Sequence, residues 1–239
     1  MKRVAISIIL LCFSLLFASS PYSQSINTLI IDAGHGGEDP GAVGKEIVEK
    51  EVTLAIALRL KEIVEKKSNL TVVQTRLDDS FLELEQRVAI SNSTFPGWNN
   101  SALFISIHVN GSISSIANGY EFLVRESRKS APFISPLSDD WALSYFANDS
   151  ITQLRRDLNQ ASYGAAHSIR KAFNNNLPSM RDRGIKEQDV YVINNNIWPS
   201  VLIEAGFVTN EEEATFMQDP SWIESVAQSI WEGISSYML

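Results

Sequence analysis

The sequence has very few residues that bind metals through sulfur or form covalent cross-links. Its 239 residues include one cysteine and three histidines. Cys12 lies in the apolar amino-terminal stretch, so the rest of the chain has no thiol for a disulfide bond or a thiolate site. Any metal bound by the rest of the chain must therefore be held by histidine and carboxylate side chains.

Basic residues are also in the minority. The chain has 20 lysines and arginines against 28 acidic residues, for a formal net charge of −8. An acidic surface repels a phosphate backbone, because binding to nucleic acid depends on clustered positive charge. We therefore expect no nucleic acid partner.

The amino terminus has the pattern of a secretory signal peptide. Lys2 and Arg3 precede an apolar run over residues 4–17, and Ala18, Ser19 and Ser20 follow it. The run is shorter than the roughly 20 residues that span a bilayer, which favours a signal over residues 1–25 rather than a membrane anchor. The rest of the chain, 26–239, is then expected in the periplasm or outside the cell.

Apolar runs alternate with helical periodicity along residues 26–239. Such alternation predicts an α/β single domain with a mainly parallel twisted sheet and helices on both faces. The pattern predicts strands over 29–31, 70–74, 102–108, 120–124, 190–193 and 201–204, and helices over 51–66, 81–91, 158–173 and 221–237.

Three of these strands end at, or just before, a residue that can bind a metal or a proton, with glycine or asparagine within two residues of it. These residues are His35, His108 and Glu204. The carboxyl ends of parallel strands share one edge of a sheet, so the three side chains should converge there. Glu49, after the first strand, can reach the same edge. Two imidazoles and a carboxylate suit a zinc site with one open position, and Glu204 then fits a general base that is not a ligand.

Other polar residues leave alternatives open. Taken alone, Glu49 is also typical of an acid favoured at a helix amino terminus. Arg76 and Arg87 could be solvated, or they could orient the site or bind a carboxylate. His167 lies beside the apolar face of its helix, and we interpret it as structural.

Six stretches resemble the zinc-dependent N-acetylmuramoyl-L-alanine amidases of the amidase_3 type, in the order and spacing of that family. The resemblance runs from about residue 28 to the carboxyl terminus. Small departures occur at Val109, Gly111 and Ala205, none of which is an expected ligand. The stretches are IIDAGHGGEDPGAVG, EKEVTLAIALRLKEIVE, TRLDDSFLELEQRVAISN, LFISIHVNGS, RDRGIKEQDVYVI and PSVLIEAGFVTNEEEA.

The resemblance implies a phosphorylase/hydrolase-like fold and a zinc-dependent activity on peptidoglycan. It places the zinc ligands on His35, Glu49 and His108 and the catalytic glutamate on Glu204. The implied reaction is hydrolysis of the amide between the lactyl group of N-acetylmuramic acid and L-alanine. Two other functions stay open, namely a zinc peptidase that cuts within the stem peptide and a wall-binding protein without catalysis.

Residues 126–157 interrupt the alternation, and such long excursions are usually functional or disordered. In some relatives, an insertion at a comparable place carries a helix that covers the zinc until a protein activator moves it. The alternative for this chain is a surface elaboration or a wall of the substrate groove. The expected packing face is formed by Trp141, Leu143, Tyr145 and Phe146, and the acids that could reach the metal are Asp139, Asp140, Asp149 and Asp157.

Overall fold

A computed structural model describes residues 20–23, 25–129 and 139–239. Most of the predicted signal peptide, and residues 130–138 of the predicted insertion, lie outside these ranges. Within them, no helix has the length and apolar character needed to cross a bilayer.

A single sheet of six strands forms the centre of the fold. The strands are β1 (Ser25–Ala33), β2 (Thr71–Gln74), β3 (Asn100–Asn110), β4 (Tyr120–Arg125), β5 (Asp182–Gln188) and β6 (Ser200–Phe207). Their order across the sheet is β2-β1-β3-β6-β4-β5. Only the β4–β6 pair is antiparallel among these strand pairings. The expectation of a mainly parallel α/β sheet is confirmed.

Helices cover both faces of this sheet. They are α1 (Glu49–Lys67), α2 (Leu84–Ser93), α3 (Asp140–Phe146), α4 (Ile151–Asn176), α5 (Tyr191–Asn194), α6 (Glu211–Met217) and α7 (Pro220–Tyr237). Successive strand residues point to opposite faces. Thus Ile31 and Ile203 pack in a core with α1, α4 and α7, whereas Ile30 and Leu202 pack in a second core with α3, α5 and the first half of α4.

The predicted strand over residues 190–193 is wrong. These residues enter the one-turn helix α5, in which Asn194 N–H donates to the carbonyl of Val190 over 2.9 Å. The run Val-Tyr-Val-Ile has high strand propensity, but such propensity yields to packing. Val192 and Ile193 are buried in the second core instead. The place at the sheet edge belongs to β5, a mostly polar and partly exposed strand without an apolar alternation.

The described part of the predicted insertion packs at the amino ends of the central strands. The Trp141 ring stacks on Trp198, with ring centroids 6.0 Å apart and planes within 5°, and the Tyr145 hydroxyl donates to the carbonyl of Asn100. Asn100 begins β3, and Trp198 precedes β6. His108 lies eight residues further along β3, roughly 26 Å away at 3.3 Å per residue.

Candidate metal centre

The loop after β1 brings a histidine to the carboxyl edge of the sheet. Gly34 N–H donates to the carbonyl of Ile107 over 3.0 Å, which holds the loop against β3. A Cβ on Gly34 would lie 2.3 Å from the His108 ring, so only glycine fits there. His35 follows with φ of 57°, in the left-handed region. This turn directs the chain away from the strand and places the imidazole beside β3.

His35, Glu49 and His108 form one compact group. Their ligand atoms all lie within 4.8 Å of one another. Glu49 Oε1 is 3.1 Å from His35 Nε2 and 2.8 Å from His108 Nδ1. The two rings are edge-on, with centroids 5.0 Å apart. Glu49 begins α1, and its other oxygen accepts a hydrogen bond of 2.7 Å from Ala42 N–H.

The charges in this group favour a cation. Burial alone would raise the pKa of Glu49, but hydrogen bonds from His108 and His35 hold it well below its usual range. Burial opposes charge on the imidazoles, yet their hydrogen bonds and attraction to Glu49 raise the pKa of both His35 and His108. Two imidazoles around one carboxylate are a donor set found in catalytic zinc sites. The three residues therefore fit a metal ion.

Asp39 orients the imidazole of His35. Its Oδ2 accepts a hydrogen bond of 2.7 Å from His35 Nδ1, and its Oδ1 accepts one of 3.0 Å from Gly41 N–H. This leaves Nε2 of His35 facing the group. A histidine ligand commonly donates its other ring N–H to a carboxylate, which fixes the ring orientation and raises its basicity as a ligand.

Arg87 and Arg76 are buried and brace the loop after β1, so the alternative that they are solvated is wrong. Arg87 donates to the carbonyls of Ala33 and His35 over 2.6 and 2.7 Å. Arg76 donates to the carbonyls of Ala33 and Gly34 over 3.0 and 2.8 Å. Together the two arginines donate to three consecutive carbonyls, at the end of β1 and in the loop that follows it.

Asp32 balances the charge of Arg87 inside the sheet. It is fully buried, and its Oδ1 accepts from Arg87 over 2.8 Å and from the Thr75 hydroxyl over 2.7 Å. Its Oδ2 accepts from the Ser106 hydroxyl over 2.7 Å. Both carboxylate oxygens are satisfied, as a buried charge requires.

Glu204 lies next to the metal group. It is paired in register with His108 across β3 and β6. Its Oε2 is buried and has no hydrogen-bond partner in the described part of the chain. Burial raises the pKa of Glu204 to about 7, with His108 opposing the rise and Glu49 and Glu121 adding to it. A carboxyl group that titrates near neutral pH can both accept and donate a proton.

A cleft of about 360 Å³ opens beside this group. His35 and His108 line one end of it, and Asp39 and Glu83 add charge at its wall. The buried pair of Asp32 and Arg87 also reaches the wall, and the remaining lining residues are apolar, namely Phe81, Leu82, Leu84, Val190, Val192 and Leu202. The cleft can therefore hold an organic group next to His35 and His108.

The structure unites the predicted site residues and leaves other candidates outside. Among the described residues, the group that could hold a metal consists of His35, Glu49 and His108, and it includes none of the acids of the predicted insertion. His167 is exposed on α4. The sequence interpretation gave no role to Asp32, Asp39 or Glu121. Asp39 had one sequence signal, its spacing of four residues from His35 in a glycine-rich loop.

Comparison with known proteins identifies the family. The sequence profile of the N-acetylmuramoyl-L-alanine amidases (Amidase_3) matches residues 29–236. The protein YqiI of Bacillus subtilis (strain 168) is 36% identical over 210 residues, which cover 88% of this chain and 84% of that protein.

Solved structures agree with this assignment. The catalytic domain of CwlV, an N-acetylmuramoyl-L-alanine amidase from Bacillus (Paenibacillus) polymyxa var. colistinus, has a TM-score of 0.69 at 33% identity, covering 89% of this chain and 98% of that one. The CwlD amidase from Clostridioides difficile, in complex with the GerS lipoprotein, has a TM-score of 0.68 at 29% identity, covering 88% and 98%. The chain belongs to the N-acetylmuramoyl-L-alanine amidase family.

Proposed function

We propose that the chain hydrolyses the amide between the lactyl group of N-acetylmuramic acid and L-alanine in peptidoglycan, with zinc held by His35, Glu49 and His108. The observation that carries this proposal is the buried carboxyl of Glu204 beside a two-histidine, one-carboxylate group. Amide hydrolysis needs a proton acceptor next to an electrophilic centre, and these four side chains supply that combination.

Glu204 moves the proton in the proposed reaction. It accepts a proton from the water that adds to the amide carbonyl carbon, and it then donates that proton to the departing alanine nitrogen. The C–N bond breaks, which leaves a lactyl carboxylate and a free amine. Zinc bound to the three ligands would polarise the carbonyl and lower the pKa of a water from about 15.7 to around 7.

Products separate this function from a peptidase that cuts within the stem peptide. We expect the protein, supplied with zinc, to release from sacculi peptides that begin with L-alanine and glycan strands with free lactyl carboxylates. Mass spectrometry of the digest measures both. Glu204→Gln should release neither, and Glu212→Gln, at an exposed carboxylate near the same edge, should act like the wild type. Cuts between stem residues would support the peptidase instead.

The proposal includes secretion directed by residues 1–25. The amino-terminal sequence of the protein recovered from cells tests this part. We expect the mature chain to begin near residue 26, outside the cytoplasm. A chain that keeps Met1 and stays in the cytoplasm would contradict it.

We also propose a protein partner that acts on residues 126–157. Support comes from the relative in complex with a lipoprotein. It also comes from two exposed apolar side chains, Leu143 on α3 and Trp98, whose ring stacks on Tyr145 of α3. Replacement of residues 126–138 by a short glycine-serine linker tests the idea. A regulatory segment predicts higher basal activity, whereas a wall of the substrate groove predicts lower activity.

A further inference from the structure

A second carboxylate lies directly across the sheet from the catalytic one. Glu121 of β4 is opposite Glu204 of β6 in the antiparallel register, and directly opposite residues share a face of the sheet. Glu121 is only 7% exposed. Its Oε1 accepts from Asn110 Nδ2 over 3.2 Å, and its Oε2 accepts from both Arg183 and Lys186. Two cations thus meet one carboxylate beside Glu204.

The two cations differ in what they can still bind. The Arg183 guanidinium lies over the Phe207 ring, 5.0 Å from its centroid, and donates to the carbonyl of Asn118 over 3.3 Å. These contacts hold it in the wall of the fold. The Lys186 side chain is 44% exposed, and its ammonium has three N–H donors, of which Glu121 takes one. Lys186 is therefore the cation of this pair that can receive an anion from solvent.

Lys186 faces the same side of the sheet as the catalytic carboxyl. In the β4–β5 pair it is opposite Leu123, which in turn is opposite Leu202 of β6. Leu202 lines the cleft and precedes Glu204 by two residues. Neighbouring strands are about 4.8 Å apart, which puts β5 roughly 10 Å from β6. An extended peptide spans this distance with about three residues.

The cleft beside the metal group has no such cation among the residues that line it. Arg87 is the one basic residue among those that line it, and its charge is paired with Asp32 in the interior. The apolar wall formed by Phe81 and Leu84 suits the uncharged face of a sugar better than a carboxylate. The charge distribution around the metal group is thus asymmetric.

We propose that Lys186 binds a carboxylate of the stem peptide, within its first three residues, so that the peptide extends from Glu204 across β4 towards β5. This inference rests on the proposed function, because it assigns one end of that substrate. It makes Lys186 a residue that determines substrate specificity and leaves the proton transfer to Glu204.

Matched substrates test this inference through kcat/KM. The probes are a muramoyl tripeptide with free carboxylates and the same compound with every carboxylate amidated. We expect the wild type to favour the free acid by about two- to fivefold, the range for a single charge-assisted contact that is partly exposed. Lys186→Gln should lower kcat/KM for the free acid but not for the amidated compound. The ratio of the two kcat/KM values should then be near one. Lys186→Arg should keep the preference.

The control is Lys45→Gln, at an exposed lysine in a separate cavity of the same edge. It should leave the ratio unchanged. In the Lys186→Gln variant, Glu121 still has its ion pair with Arg183, so we expect the variant to fold. The midpoint of denaturant unfolding checks this. An unchanged ratio in Lys186→Gln, or an equal loss on both substrates, would overturn the inference. A wild type that cleaves neither lactyl amide would instead refute the proposed function and the inference with it.

Discussion

Arg87 donates a hydrogen bond of 2.7 Å to the carbonyl of His35, the residue whose imidazole faces Glu49. The same guanidinium pairs with the buried carboxylate of Asp32. His35 lies beyond the end of β1, so its carbonyl is not part of the strand pairing. The position of one proposed metal ligand therefore depends on an ion pair in the interior of the sheet.

Removal of this guanidinium should weaken both the fold and metal binding. Arg87→Met leaves the Asp32 carboxylate buried without its partner, which costs about 3–5 kcal/mol of the free energy of unfolding. Denaturant unfolding of the metal-free protein and zinc titration measure the two effects. Arg59→Met, at a surface arginine paired with Glu224, is the control and should change neither. Unchanged zinc affinity in a folded Arg87→Met would contradict the role in positioning.

Asp39→Asn should weaken metal binding without unfolding the chain. The amide cannot accept the Nδ1 proton of His35 as strongly as the carboxylate does, so the ring is less well oriented and less basic. Loss of such a partner typically lowers metal affinity about 10- to 100-fold. Zinc titration measures the change, and excess zinc should restore activity. Glu38→Gln, at the exposed residue before Asp39, should keep the wild-type affinity for zinc. An equal loss of zinc affinity in this variant would mean that any charge change in the loop weakens binding, and would contradict a specific role for Asp39.

Glu204→Gln should stabilise the metal-free protein at alkaline pH. The pKa of Glu204 is about 7 in the folded chain, above its ordinary value of 4.5, so its ionisation opposes folding. Well below pH 4.5 the carboxyl is protonated in both the folded and the unfolded state, so the substitution does not change the free energy of unfolding through this charge. The gain grows as the pH rises to 7, and at pH 8 it should reach about 1–3 kcal/mol of the free energy of unfolding.

Denaturant unfolding at several pH values, with a chelator present, measures this difference. Glu212→Gln, which makes the same chemical change at an exposed carboxylate, serves as the control. A Glu204→Gln gain that is the same at pH 5 and pH 8 would mean that the carboxyl is not destabilised by burial.

Trp141→Ala should lower stability and spare catalysis. Its ring stacks on Trp198 at the amino ends of the strands, so its loss removes packing worth about 2 kcal/mol for a half-buried aromatic residue. The kcat/KM of the folded enzyme should stay within about twofold. Unfolding midpoints and initial rates on sacculi measure both, with Leu143→Ala as the exposed control on α3. A several-fold rise in activity would instead indicate a lid.

The sequence was sufficient to predict five of the six described strands and the convergence of His35, His108 and Glu204 at one edge of the sheet. His108 and Glu204 lie in the carboxyl-terminal halves of apolar strands, and His35 lies two residues beyond the end of another. In a parallel sheet the carboxyl ends of the strands meet at one edge, whichever helices connect them. Strand β5 was missed because an edge strand needs no apolar alternation, and a more strand-like run lies just after it.

The supporting residues could not be predicted in the same way. Arg76 and Arg87 contact mainly backbone carbonyls, which every residue has, so no sequence pattern marks their partners. Glu121 and Lys186 meet because β4 runs antiparallel to β6 and parallel to β5, a topology that local periodicity does not encode.

Reactivation by zinc tests the central claim most directly. The protein is stripped of metal, zinc is added in steps, and the release of amino-terminal L-alanine from sacculi is measured at each step. We predict no release without metal and full activity at one equivalent, with Glu204→Gln binding that equivalent but staying inactive. Undiminished release from the stripped protein would contradict a metal centre formed by His35, Glu49 and His108.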